Sequence, residues 1–80
     1  MTVLEAVNKR LDEILIEKNI SWYKLEKLSA LSKGTIIGIQ YCKNKSIDLK
    51  TLIIILKSIK FDINDFFNSP IFDENNLDCD

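Results

Sequence analysis

Hydroxyl and ammonium side chains are concentrated between residues 21 and 45 of this 80-residue chain, and they are its best candidates for chemistry. Ser21 and Ser32 each stand directly before an aliphatic pattern of helical spacing, and Lys33, Lys43 and Lys45 follow Ser32. Hydroxyl groups donate and accept hydrogen bonds, and ammonium groups supply donors that carry a positive charge. These residue types are suited to holding a negatively charged partner.

Catalysis and metal binding find no support in the sequence. The chain contains no histidine, no Gly-rich phosphate loop, and no serine or cysteine paired with a base at a useful spacing. The acidic stretch 73–80 lacks the spaced ligands and the glycine of a calcium loop. Cys42 and Cys79 lack the C-x-x-C spacing, and we expect them to be reduced thiols. We therefore expect no enzymatic activity, no cofactor, no metal and no small-molecule ligand.

The distribution of charge matters more than the net charge of −1. Residues 18 to 60 contain nine lysines and two acids, which leaves this segment with a charge of +7. Residues 61 to 80 contain six acids and no base. The chain is therefore a basic body followed by an acidic tail. A solvated lysine surface would show the same pattern, so charge alone does not identify a nucleic-acid partner.

Hydrophobic periodicity and capping residues together predict five short helices and no strand. The first helix repeats apolar residues at steps of three and four from Val3 and ends near Lys18. Three later helices start with an apolar residue followed by a Ser or Asp N-cap. These starts are Ile20-Ser21, Leu31-Ser32 and Phe61-Asp62, and the other helix, through Ile59, starts after Asp48 or Ser46. The run at 52–56 is β-branched, but its spacing fits a helix and no partner strand exists.

The same spacing assigns inward-facing residues to the second, third and fourth helices. They are Leu25 and Leu28 in the second helix, Ile36 and Ile39 in the third, and Leu49, Leu52, Leu56 and Ile59 in the fourth. Pro70 stops the fifth helix. The segment after it is expected to be loosely ordered, although Ile71, Phe72 and Leu77 could dock. We therefore expect one domain over 1–69 and an acidic C-terminal tail over 70–80.

The two capped helices around residues 21–41 resemble the lambda-repressor/Cro-type (XRE) helix-turn-helix family. The resemblance rests on Ser21, Leu25, Ala30-Leu31-Ser32, Ile36 and Ile39, and it extends over residues 3–67. Two positions depart from the family pattern. Glu26 stands where alanine is usual in the second helix, and Ala30 stands where glycine is usual in the turn. An alanine at a left-handed turn position would be strained by about 1 kcal/mol.

The resemblance implies an all-α, five-helix lambda-repressor-like DNA-binding domain in which helices 2 and 3 form the helix-turn-helix. Burial of Ile36 and Ile39 leaves one face of helix 3 outward, and the resemblance implies that this face meets the bases. The implied base-facing residues are Ser32, Lys33, Gly34, Thr35, Ile37, Gly38 and Tyr41. The implied phosphate contacts are Ser21, Trp22, Tyr23, Lys43 and Lys45.

Several of these residues have a structural alternative. Gly34 and Gly38 would let the helix backbone approach base edges closely, or they could serve only close packing, with Ile37 in the core. Trp22 and Tyr23 could be packing anchors with one polar edge exposed to water. Lys43 and Lys45 could belong to a solvated loop.

We expect a sequence-specific DNA-binding transcriptional regulator, a repressor, that acts as a homodimer through helices 4 and 5 and the tail. The partner is double-stranded DNA with palindromic half-sites. No membrane association is expected, since the longest apolar run spans 52–56. Without an export signal, the location is expected to be cytoplasmic. The alternative is a protein-interaction module on the same fold, antitoxin-like, with weak or no DNA binding.

Overall fold

The computed structural model describes residues 1–78, and within them the regular structure is helical. The helices are α1 (Val3–Lys18), α2 (Trp22–Ser29), α3 (Lys33–Gln40), α4 (Leu49–Ser58) and α5 (Ile63–Phe67), followed by 3-10 turns at Pro70–Phe72 and Glu74–Asn76. No strand is present in this part of the chain, although Thr2 and Asp78 form an isolated bridge. The all-α prediction with five helices is confirmed.

Each α helix begins at a polar N-cap whose side chain accepts a hydrogen bond from a backbone N–H of the first turn. The caps are Thr2, Ser21, Ser32, Asp48 and Asp62. The caps predicted at Ser21, Ser32 and Asp62 are confirmed. Of the two residues considered for the fourth helix, Asp48 is the cap and Ser46 is not. The hydrogen bonds that Asp48 accepts from Thr51 hold the pKa of the Asp48 carboxyl below its ordinary value. Capping therefore explains why such short helices start where they do.

One apolar core joins all five helices. Its fully buried side chains include Leu11, Ile14, Leu25, Ile36, Ile39, Ile55, Leu56 and Phe66. The helix α2 packs against both α3 and α4. Because each helix is too short to be stable alone, burial of one apolar face per helix holds the fold together.

Val3, where the predicted apolar face of the first helix begins, is 42% exposed, and two further residues predicted to face inward also lie at the surface. Leu28 is 44% exposed, and Leu49, in the first turn of α4, is 61% exposed. In α2 the inner position is taken by Ser29, whose hydroxyl donates to the Glu26 carbonyl and accepts the N–H of Leu31. A small residue at this point lets the chain turn tightly into α3. In α4 the fully buried Ile55 completes the inner face, a position that the predicted set omitted.

The C-terminal segment is ordered through residue 78, so the expectation of a loose tail is wrong over 70–78. Phe72 lies 5.4 Å from Phe66 and 4.9 Å from Phe67 between ring centroids, which confirms its docking. The backbone N–H of Asp78 donates to the Met1 carbonyl at 2.8 Å. The acidic segment is therefore tied to the start of α1. The boundary between domain and tail at 69/70 stays a prediction.

Arg10 attaches α5 to α1. Its Nε donates to the Phe66 carbonyl at 2.9 Å, and its Nη2 donates to the Asp65 carbonyl at 2.8 Å. The guanidinium also lies 5.7 Å from the centroid of the Phe61 ring. A cation at the C-terminal end of a helix satisfies carbonyls that lack helical partners and interacts favourably with the helix dipole. The side chain of Arg10 therefore stabilises a helix of only five residues.

The turn between α2 and α3 requires a left-handed residue at Ala30, which has φ 58° and ψ 19°. An L-residue in this region costs about 1–2 kcal/mol, whereas glycine adopts it freely. The strain predicted for this departure from the family pattern is confirmed.

We expect Ala30→Gly to raise the free energy of unfolding by about 0.5–1 kcal/mol. The relief of left-handed strain exceeds the entropy of about 0.4–1 kcal/mol that glycine adds to the unfolded chain. Urea denaturation measures the difference. Ala6→Gly, at a buried position within α1, is the matched control and should lower stability. An Ala30→Gly protein no more stable than the parent would contradict this account of the turn.

Candidate nucleic-acid interface

The orientation of α3 follows from the burial of two of its residues. Ile36 and Ile39 are each only 2% exposed and lie in the core with Leu25 of α2. The N-cap Ser32 accepts the Thr35 N–H at 3.2 Å, and the two hydroxyls are 2.8 Å apart. With these residues held, the opposite side of α3 must face solvent.

The structure places most of the predicted base-facing residues on that outward side. Ser32, Lys33, Gly34 and Tyr41 are exposed, and Thr35 and Ile37 are half-buried. A Cβ built on Gly34 would meet nothing within 4 Å, so the backbone there is open to an approaching surface. No residue of α3 carries a negative charge.

Gly38 is different, because the structure buries it. A Cβ at this position would lie 2.9 Å from Cγ of Asn44 and closer still to its Nδ2. The prediction that Gly38 is open to bases is therefore wrong. Gly38 instead allows close packing, and the segment that packs on it is the loop after α3, not another helix. Asn44 is not identifiable from the sequence, because nothing in the local pattern shows that the loop folds back over α3.

The fold-back begins at Cys42, which has φ 51° in the left-handed region. The following N–H, that of Lys43, donates to the Gly38 carbonyl at 2.9 Å, as in a Schellman-type helix end. Partial burial raises the pKa of the Cys42 thiol. This turn brings the chain back over α3, with Asn44 on Gly38 and Lys43 close to the Tyr41 ring.

The aromatic residues at the start of α2 play separate parts. Trp22 is half-buried against the core, and its Nε1 donates to Oδ1 of Asp12 at 3.2 Å. Its indole N–H is thus already bonded, which favours the packing alternative for Trp22. Tyr23 is 68% exposed, with Nζ of Lys27 lying 5.0 Å from its ring centroid. The phenol of Tyr23 therefore remains open to a ligand.

The lysines of the basic segment are exposed at the surface. Within residues 1–78 the ion pairs are the Met1 amine with Asp78 at 3.2 Å and Arg10 with Glu13 at 3.6 Å. In this described part, none of the nine lysines between 18 and 60 pairs with a carboxylate. Lys43 instead lies with its Nζ 5.9 Å from the Tyr41 ring centroid. The positive charge near α3 is therefore available to an external anion.

An open groove of about 540 Å³ runs between α1, the start of α2 and the outward side of α3. Its lining includes Ile16, Trp22, Tyr23, Glu26, Lys33, Ile37 and Tyr41. Glu26 replaces the usual small residue of the family pattern here and is half-buried at the groove wall. The surface beside α3 is thus concave and partly apolar.

The contact between Gly38 and Asn44 predicts an energetic coupling between the two positions. Gly38→Ala should be more stabilising in an Asn44→Ala background than in the parent by about 1 kcal/mol, because the shorter side chain removes the overlap. A double-mutant cycle of urea denaturations measures this difference. Gly34→Ala, which meets no neighbour, should show no coupling to Asn44→Ala. Equal effects of Gly38→Ala in both backgrounds would contradict the contact.

Comparison with known proteins identifies the family of the chain. The family model for the Cro/C1-type HTH DNA-binding domain matches residues 10–70, which cover most of α1 and all of α2 to α5. Searches of curated proteins and of solved structures found no match. No helix within residues 1–78 is long and apolar enough to cross a membrane. The match and the helix-turn-helix geometry agree, and the chain belongs to the family of Cro/C1-type helix-turn-helix DNA-binding domains.

Proposed function

We propose that this protein is a sequence-specific transcriptional repressor that binds palindromic DNA as a homodimer in the cytoplasm. The observation that carries the proposal is the outward side of α3, which is free of negative charge and flanked by lysines without ion-pair partners. A helix of this kind fits the major groove of B-DNA. Repression requires only that the bound dimer occupy DNA that the transcription machinery needs.

Base contacts in this proposal come from the first turns of α3. Lys33 can reach a guanine edge or a phosphate, and Ile37 and the methyl of Thr35 can contact thymine methyls. The open surface over Gly34 lets the backbone approach the bases. The outward side of α3 carries no Arg or Asn, so groove shape and A·T-rich sequence contribute to the preference.

Phosphate contacts in this proposal come from the loop after α3 and from the start of α2. Lys43 and Lys45 are exposed after α3, and Ser21 and Tyr23 are exposed at the start of α2. Backbone N–H groups at the start of α2 add a positive dipole end that suits a phosphate. Trp22 acts in this arrangement as the packing anchor that orients the start of α2.

The dimer in this proposal uses the apolar surface of α4 and α5. Leu49 and Phe67 are exposed, and a groove of about 310 Å³ lies between the two helices with Ile53, Phe61 and Ile63 in its lining. Exposed apolar area of this kind is typical of an interface between subunits. Pairing two half-sites supplies affinity that a single small domain does not reach.

A second candidate function is supported by the groove beside α3. Ile16 is 72% exposed, Tyr41 is 62% exposed, and both line the groove with Tyr23. An apolar groove at this place suits a protein segment as well as DNA, so the alternative is an antitoxin-like interaction module with weak DNA binding. A mobility-shift assay with random duplex DNA at low salt separates the two. A shift supports the DNA-binding proposal, and its absence supports the module.

DNA affinity should fall steeply with salt. A few lysine–phosphate contacts per subunit release condensed counterions, and they give a log–log slope of roughly −4 to −8 for a dimer. Fluorescence anisotropy titrations at several salt concentrations measure the slope. A slope near zero would argue against phosphate contacts by the basic segment.

Substitutions should separate base contacts from phosphate contacts. Lys33→Glu should abolish binding to the preferred sequence without unfolding the protein, because Lys33 is exposed and an acid in the first turn of a helix is favourable. Lys43→Ala should weaken binding to all sequences about equally. Sequences selected from a random duplex pool, and thermal melts, provide the readouts. If Lys33→Glu leaves the preferred site and the affinity unchanged, α3 is not the recognition helix.

A further inference from the structure

In the loop after α3, the side chain of Asn44 lies over Gly38 of that helix. The inference drawn from this contact rests on the proposed DNA-binding function. We propose that Asn44 is a base-reading residue whose carboxamide, seated on Gly38, recognises an adenine in the major groove. The residue determines specificity in this scheme, and Gly38 is the position that makes room for it.

Helix geometry places Asn44 on the side of α3 proposed to face DNA. Gly38 follows Gly34 by four residues, which rotates it by only about 40° around the helix axis. The three atoms nearest to a Cβ at Gly38 all belong to Asn44, with Cγ at 2.9 Å and Oδ1 at 3.2 Å. The amide of Asn44 therefore covers Gly38 next to the exposed Gly34. Any side chain at position 38 would compete for that space.

The carboxamide of Asn44 has donors and an acceptor to offer. The residue is exposed, and its amide forms no hydrogen bond within residues 1–78. Asn8 shows the contrasting structural role, since its Nδ2 donates to the carbonyls of Ile39 and Gln40 at 2.9 Å each. The end of α3 is thus already satisfied by Asn8, and Asn44 is not needed as a cap.

The chemistry of α3 shows what Asn44 would add. The helix has no Arg, Asn or acid, so the exposed Lys33 and the half-buried Gln40 are its only long polar side chains for hydrogen bonds to base edges. An asparagine carboxamide pairs with N6 and N7 of adenine through two hydrogen bonds. Lys43 and Lys45 stand on either side of Asn44 in the chain, and both are exposed. Phosphate contacts by these lysines would hold the loop, and with it the carboxamide, against the groove.

The test compares sequences selected from a random duplex pool by the parent protein and by Asn44→Ala. The parent should select adenine at one position of each half-site, and the variant should lose that preference while keeping the others. Affinity for the parent's selected duplex should fall roughly 5- to 150-fold. Asn75→Ala is the matched control, because Asn75 is also exposed and lies in the 3-10 turn Glu74–Asn76. It should change neither the selected sequence nor the affinity.

Two further measurements distinguish direct contact of Asn44 with adenine from an indirect structural role of Asn44. Replacing that adenine with 7-deazaadenine should weaken binding by the parent but not by Asn44→Ala. Gly38→Ala, which displaces the carboxamide and keeps Asn44, should lose the same adenine preference. Melts by circular dichroism establish that each variant is folded.

An unchanged selected sequence with Asn44→Ala, or an equal loss of affinity for all duplexes, would overturn the assignment of Asn44 while leaving the DNA-binding proposal standing. A base other than adenine at the affected position would also overturn it. If the parent enriches no sequence at all, the proposed function fails first and the role of Asn44 fails with it.

Discussion

Burial of Ile36 and Ile39 is the constraint on which the outward side of α3 depends. The helix α3 has eight residues, two of them glycine, and an isolated helix of that length is unstable in water. Its form and orientation therefore come from the contact of these two side chains with the core. Once they are buried, the residues at the remaining angles have only solvent or a partner to face. The outward side is a consequence of the core.

Two turns with left-handed residues connect α3 to the segments before and after it. The left-handed Ala30 makes the turn that leads into α3, and the left-handed Cys42 makes the turn that leads out of it. The first is strained because an alanine occupies a conformation that glycine adopts freely. The second returns the chain over Gly38, where the absence of a Cβ leaves space for Asn44. The surface beside α3 is thus shaped by two turns as much as by the helix itself.

Basic side chains have two different roles in the rest of the molecule. The lysines between residues 18 and 60 stay without ion-pair partners in the described part of the chain, while the basic side chain of Arg10 is used internally to hold α5. The acidic segment is tied to the start of α1 through Asp78 and to α5 through Phe72. Positive charge is therefore left for an external anion where α3 is exposed.

The sequence by itself determined the helices, three of their caps and the resemblance to the family, because these depend on local spacing. Ser21, Ser32 and Asp62 cap their helices by bonds that reach two or three residues along the chain, and Ile36 and Ile39 obey the helical period. The wrong predictions concern residues that have the helical spacing of a buried face but are not covered by a neighbouring helix. Leu28 and Leu49 have the inward period, yet only the neighbouring helices decide which residues they cover.

Tertiary structure alone decided the contacts between distant segments. Arg10 reaches Phe66, and Asn8 reaches Ile39, across dozens of residues that no local pattern links. The case of Gly38 shows the same limit within the site, since its angle on α3 pointed outward and only the path of the loop placed Asn44 over it. Local hydrogen bonding and periodicity act over a few residues, whereas packing depends on where every other segment goes.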